Sequence, residues 1–400
     1  MNEKRDKVFL YLTYMSAMVI ALFSFTAFSL TALHHVLLVI PGFFFVIQAL
    51  KKRELDISIS SWSLLLLIIV STISVLINDV EKPFGNIFKL KYFIIPLFGI
   101  YAYREWFQRK FSESKVKLVI NIFLVSVTIA NISGLIGLFS GFNPLRFKTA
   151  CHLTRNCGMY GMFMTFGYGM MFVMILLVGL MIYRKKIKDY VDYRILYSSF
   201  VVCLVGFLLS QARGALIGFF IALPFFYFKK HKKIFSVFSL VIFGCCLISY
   251  TFIPAVNQLF TDGSRIASVE HRISQYQAAI KVFEEKPLLG IGYKNFEKNV
   301  RDYKKKYDIA YEWIGGHGHS NFFEHLASTG ILGLIFLFMF HFFWGYEMYS
   351  RNDVFAKICF PFVIALFISG QFQYTFGDGE NLFLVMFIYS LSQVRVKSYS

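Results

Sequence analysis

Charge is what this sequence has least of. Lys, Arg, Asp and Glu make up 16% of 400 residues, where a water-soluble domain of that size needs roughly 25% to cover its surface. Hydrophobic residues reach 57%, with 49 Phe among them, so the composition is that of an integral membrane protein. Cysteine is sparse as well. Four of the six (Cys203, Cys245, Cys246, Cys359) lie inside apolar runs as small hydrophobes, and no spacing resembles a zinc site. Cys151 and Cys157 share a polar loop, where a disulfide and two free thiols are both compatible with the sequence. The first apolar run, from Val8, has no small-residue cleavage site and is followed at once by another, so it reads as an uncleaved span.

A span takes about 20 apolar residues. Such runs fall near 8–28, 30–50, 61–78, 87–103, 116–139, 158–183, 194–210, 212–228, 234–253, 326–348, 355–374 and 380–394. Lone strands cannot satisfy their backbone in lipid, so the expected fold is all-α, with about twelve transmembrane helices. Every second connection is basic: Lys4 to Lys7, Lys51 to Arg53, Arg104 to Lys117, Arg184 to Arg194, Lys229 to Lys233, Arg351 with Lys357, and Arg395 with Lys397. These connections are expected on the cytoplasmic side, with both termini. Most of the net charge of +18 is then a topology signal facing anionic lipid, and nucleic acid is not the expected partner.

One long polar stretch interrupts the apolar chain. The expected domains are 1–253 with nine spans, 254–325 as an extracytoplasmic loop, and 326–400 with three more spans. Between Pro254 and Glu324 ten Lys/Arg meet nine Asp/Glu, so an anion there must be gripped by particular arginines, not by a bulk field. Apolar residues Ile266, Val269, Ile273, Tyr276, Ile280 and Phe283 recur at helical spacing. Arg265 and Arg272, seven apart, project from nearly one side of that helix. The run EEKPLLGIG stops it.

Two features bear chemistry. Arg213, in LLSQARGALIGFF, joins two apolar runs with almost no loop. A permanent cation there costs a few kcal/mol unless it snorkels to headgroups or meets an anion. The guanidinium fork matches phosphate oxygens bidentately, as Lys does not. The second feature is His317-Gly318-His319 in GGHGHSNFFEHLASTG. As metal ligands the pair lacks a third local partner. The other readings are two solvated loop histidines, or one acting as general base or positioning group. Gly315, Gly316, Gly318 and Gly330 would allow close substrate approach, while His325 reads as structural.

LSQARGAL, then an Arg-bearing extracytoplasmic helix ending in EEKPLLGIGYKNF, then HGHSNFFEHLASTGILG opening a span, together resemble the O-antigen ligase/O-antigen polymerase superfamily over Leu208 to Gly333. The resemblance implies an inverting, metal-independent glycosyltransferase without a cofactor. Its donor would be a glycan on undecaprenyl diphosphate, and its place the bacterial inner membrane with the loop periplasmic. It maps catalytic roles onto Arg213, Arg272 and His319, the arginines holding the diphosphate and the histidine acting on the acceptor hydroxyl. Arg265, Arg146 and His317 are further substrate-binding candidates. Ser320 stands where many relatives have Asn, and a basic loop (Arg146, Lys148, Arg155) precedes the sixth span.

Within the superfamily a ligase, with lipid A-core as acceptor, is favoured over a repeat-unit polymerase, because no second large outer loop is evident. The protein-glycosylating branch fits least, for want of a sizeable C-terminal soluble domain. The alternative of another class is a multi-span transporter. It is disfavoured because no paired Gly/Pro-interrupted segments occur in matching halves.

Overall fold

The computed structural model describes residues 3–108, 113–229, 231–253, 257, 258, 261 and 263–394, without the side chains of Glu3, Cys246, Ser264 and Arg265. Its helices are α1 (Glu3–Phe23), α2 (Ala32–Lys52), α3 (Ile59–Ile77), α4 (Pro83–Lys89), α5 (Lys91–Gln108), α6 (Glu113–Ser140), α7 (Phe163–Ile182), α8 (Tyr193–Ser210), α9 (Arg213–Ala222), α10 (Phe225–Phe228) and α11 (Lys232–Phe252). Then follow α12 (Gly263–Glu285), α13 (Phe296–Lys306), α14 (Asn321–Ser350), α15 (Val354–Ser369) and α16 (Gly379–Ser392). Among the described residues, strand occurs only as a two-stranded antiparallel hairpin, β1 (Phe142–Asn143) with β2 (Lys148–Thr149).

Eight helices are long and apolar enough to cross a membrane by length and composition. The other four expected spans fall on α5 and on three shorter apolar helices, 213–228, 354–369 and 379–392. The helices thus establish a multi-pass architecture, while the count of twelve depends on those four crossing too. At the centre stands α7, whose Met170, Met171, Phe172, Val173, Met174 and Ile175 are all fully buried. A helix apolar on every side has nowhere else to go, and α8, α9, α15 and α16 pack around it. By contrast α11 keeps Val237, Leu240, Val241, Phe243 and Leu247 exposed, as a lipid-facing helix does.

The expected single span at 326–348 is a folded helix. Gly330 has φ 63 and ψ −162 inside α14. Phe322 and Phe338, which would stand about 24 Å apart on a straight helix, have ring centroids 5.8 Å apart. The chain therefore doubles back at Gly330 into a short leg, 321–329, and a long leg, 331–350. Doubling back strands backbone groups, and the turn after α12 takes them up. Ile291 and Gly292 N–H donate to the carbonyls of Ala327 and Ser328, and Ile331 N–H donates to Pro287 O at 2.8 Å. Ser74 Oγ donates to Ser328 O and Asn78 Nδ2 to Gly290 O. Irregular backbone at membrane depth is tolerated where protein satisfies it in this way.

Gly330 is thus a packing residue and not a place of substrate approach. A Cβ there would lie 2.4 Å from the Leu288 carbonyl carbon, in a backbone region open essentially to glycine alone. Gly330→Ala is expected to destabilise the protein by about 3 kcal/mol or more, read as a lowered melting temperature in detergent. Gly345→Ala on the same helix, whose Cβ would meet only Val363 at 3.7 Å, serves as the neutral control.

The short helices shape the site. About 16 residues of helix span only about 24 Å, less than a roughly 30 Å hydrocarbon core. The end of α15 meets the start of the short leg of α14, and the start of α9 lies against the loop after α15. Asn321 N–H donates to Gly370 O at 2.7 Å, and a Cβ on Gly214 would touch Phe372.

Candidate active site

Arg213 is the first residue of α9, and the preceding turn is tight because Gln211 adopts a left-handed φ of 52. The backbone beside it abuts Tyr168 of α7: a Cβ on Gly214 would lie 2.1 Å from the Tyr168 hydroxyl. Gly167 gives α7 room here, since its own Cβ would meet Ala212 at 2.4 Å. Arg272 approaches from α12 with Nη2 3.8 Å from Met164 Sδ. Both guanidinium charges act on the Tyr168 hydroxyl, and Arg272 also acts on His317 and His319.

The two histidines sit on the loop entering the short leg of α14. Their rings are 4.4 Å apart, and the His319 ring is 5.7 Å from that of His271. Ser320 caps the leg, its side chain accepting from Phe322 N–H and Phe323 N–H. Ser and Asn both do this well, which accounts for Ser at this position. Glu324 is fully buried and accepts from Gly318 N–H at 2.7 Å and from Ser328 Oγ, fastening the glycine between the histidines. Tyr276 of α12 stacks on Phe323 at 4.2 Å. Its hydroxyl lies 3.5 Å from both His319 O and Gln371 O.

From the other side comes the loop between α15 and α16. Asn321 staples it, donating to Thr375 Oγ1 and accepting from Phe376 N–H. Lys294, from the turn after α12, donates to Gly377 O at 2.8 Å. On this loop Gln373, 3% exposed, lies between the histidines, Nε2 at 3.2 Å from His317 Nε2 and Oε1 at 3.5 Å from His319 Nδ1. Burial, then His317 and Arg272, pushes the His319 pKa down to about 3 against the opposing Gln373 hydrogen bond. Burial lowers that of His317 as well. Both imidazoles are therefore neutral at physiological pH.

The structure thus sets Arg213 beside Tyr168, on which Arg272 also acts, and sets His317 and His319 beside Gln373, with Arg272 acting on both rings. The other two candidates do not join them on the same footing. Arg146 Nη1 is bound to the Tyr160 carbonyl, so its guanidinium braces the loop between α6 and α7. The Arg265 side chain lies outside the described residues. That same loop carries a Cys151–Cys157 disulfide. Among the described residues, no group of three His, Cys, Asp or Glu could hold a metal.

The α12 stripe is not the buried face. Ser274, Gln275, Ala278, Ala279 and Val282 pack inward, whereas Ile266, Val269, Ile273 and Ile280 are exposed. At 100° per residue these four lie nearly opposite the small-residue face and next to the side that carries Arg272 and Tyr276. Small residues let α12 come close to the short leg of α14, and that close packing, not the aliphatic pattern, selects which face turns inward.

Residues 198–338 match the family model described as O-antigen ligase. Over this segment, about a third of its length, the chain is similar to the O-antigen ligase/polymerase superfamily. No curated protein matches the chain. The match runs from α8 into the long leg of α14, and so contains Arg213, Arg272, His317 and His319 but neither Gln373 nor Arg146. Members of the O-antigen ligase family are glycosyltransferase-like enzymes of lipopolysaccharide biosynthesis.

Sequence reasoning missed Gln373, Asn321, Tyr168 and the roles of Tyr276 and Glu324. The polar run FQYTFGDGEN was visible, but as a mere connection. Its density of hydrogen-bonding residues between two apolar runs was the available signal.

Proposed function

We propose that this protein transfers a glycan from undecaprenyl diphosphate to a sugar hydroxyl of lipid A-core, as an O-antigen ligase. What supports the reading is that Arg272 acts on the Tyr168 hydroxyl, as Arg213 does, and also on His319, in a region we place at the membrane boundary. A polyprenyl diphosphate holds its tail in lipid and its anion at that level. The aliphatic side of α12 beside Arg272 suits hydrocarbon, and the outer ends of the short helices suit the headgroup.

In the proposed step His319 Nε2 accepts the proton of the acceptor hydroxyl as its oxygen attacks the anomeric carbon of the donor sugar. The bond from that carbon to the diphosphate oxygen breaks with its electron pair, releasing undecaprenyl diphosphate with inversion. Arg213 and Arg272 bind the diphosphate and offset the charge that grows on the leaving oxygen. Arg265 is a secondary candidate for contact with the donor diphosphate. Burial around Gln373 and the histidines favours the sugar hydroxyl over water. The step uses no metal and no cofactor.

On this reading both termini are cytoplasmic and the 254–325 segment is periplasmic, in the inner membrane. The ligase is favoured over a polymerase because the other outer connection, Gly141 to Cys157, is closed by a hairpin and a disulfide and offers little second surface. A lipopolysaccharide gel of a deletion strain tests this. Core without a ladder, with polymer accumulating on the polyprenyl carrier, is expected; core bearing a single repeat would instead make the protein a polymerase.

A further inference from the structure

Gln373 lies outside the matched segment and is brought to the histidines only by folding. An amide has one donor end and one acceptor end, and here the two ends meet two different imidazoles. Nε2–H faces His317 Nε2 at 3.2 Å, and Oε1 faces His319 Nδ1 at 3.5 Å. The orientation that gives both rings a partner makes His317 Nε2 an acceptor and His319 Nδ1–H a donor. His319 then keeps its Nε2 lone pair for the reaction. With the amide turned the other way, His319 Nδ1 would accept from Gln373, its Nε2 would carry the hydrogen, and no base would be left. Which ring nitrogen bears the proton is set by the hydrogen bond that the other nitrogen makes.

The surroundings hold this amide firmly. The Gln373 side chain is buried, and its loop is tied to Asn321 on one flank and to Lys294 on the other. Asn321 follows directly on the histidine motif, so one segment carries the base and anchors the loop that orients it.

We infer that Gln373 is a positioning residue for the transfer reaction, holding His319 as its Nδ1–H tautomer, and that His317 serves by fixing the direction of the Gln373 amide. The inference rests on His319 being the base. It also assigns the first histidine of the motif a function distinct from contact with the substrate. The charged and titratable groups facing these rings are His271 and Arg272 from α12, Lys294 and Glu297 from the segment after it, and Asp378 beyond the Gln373 loop.

The test uses the full-length protein in detergent or nanodiscs, with lipid-linked glycan donor and lipid A-core acceptor. Gln373→Leu keeps the volume and removes both hydrogen bonds. It should lower kcat by about 10²-fold, leaving donor KM within about threefold and the melting temperature near that of the parent. Gln373→Glu retains an acceptor for His319 Nδ1–H, and should recover at least about tenfold over the Leu variant. Its carboxylate should also move the acid limb of kcat to higher pH. His317→Ala combined with Gln373→Leu should cost little more than Gln373→Leu alone, because both act through one amide. A Gln373→Leu protein with parental kcat, alongside an inactive His319→Ala, would overturn the positioning role and leave the base intact. Equal loss in the Leu and Glu variants would overturn it too. An active His319→Ala would instead remove the reading on which the inference stands.

Discussion

His319→Ala is expected to lower glycan transfer by about 10³-fold, within the range that a positioned general base supplies, while protein level and melting temperature stay near those of the parent. The side chain is held at its edges, by Gln373 at Nδ1 and by ring contacts with His317 and His271, and the cap of the short leg is made by Ser320. Removing the imidazole therefore leaves the fold of the leg intact. Retained transfer in lipid-linked donor assays would remove His319 as the base.

The same residue sets a pH signature. In the protein without donor, burial first, and then His317 and Arg272, pushes its pKa to about 3. The neutral form is the active one, so activity falls as pH drops through the pKa. The kcat/KM profile, which reports the free protein, should show no acid limb from His319 down to about pH 5. A base that weak is a poor proton acceptor, and the donor itself corrects this. A diphosphate beside Arg272 sets negative charge against the guanidinium, which raises the imidazole pKa in the complex. The acid limb of kcat should therefore lie at higher pH than that of kcat/KM. Arg272→Gln removes a positive neighbour and should move the free-protein limb upward even as the rate falls. Coincident limbs in both profiles would count against the coupling.

Legibility in the sequence followed the range of the interaction. Arg213 and the H-x-H pair stood out because an arginine between two apolar runs and histidines among glycines are local anomalies, each costly without a purpose. The break at PLLGIG was legible as a break, since Pro and Gly act on their own backbone. Its partner was not. Gly290 and Gly330 are forty residues apart, and only the folded chain shows that the first turn supplies the hydrogen bonds lost at the second. Gly330 accordingly looked like room for substrate. On α12 the 3.6-residue period was visible, but it does not say which apolar face is buried. Ser274, Gln275, two alanines and Val282 made the interface, and the larger aliphatics Ile266, Val269, Ile273 and Ile280 were left exposed. Gln373 was the least legible, because a glutamine in a short connection acquires meaning only through what it touches.

Arg213→Lys is expected to fail nearly as badly as Arg213→Ala, each losing about 10²-fold in transfer rate. Snorkelling needs only a long stem and a positive end, and Lys has both. A fork on a diphosphate needs two parallel N–H groups in one plane, which an ammonium cannot present. The surroundings favour the fork. Arg213 opens a helix shorter than the hydrocarbon core, beside the Tyr168 hydroxyl on which Arg272 also acts. A diphosphate bound beside that hydroxyl would be attracted by both positive charges. Donor binding should therefore raise the melting temperature of the parent by more than that of either Arg213 variant. If the Lys variant transfers glycan at the parental rate and is stabilised by donor to the same extent, Arg213 is an anchor to lipid headgroups and the diphosphate is held elsewhere.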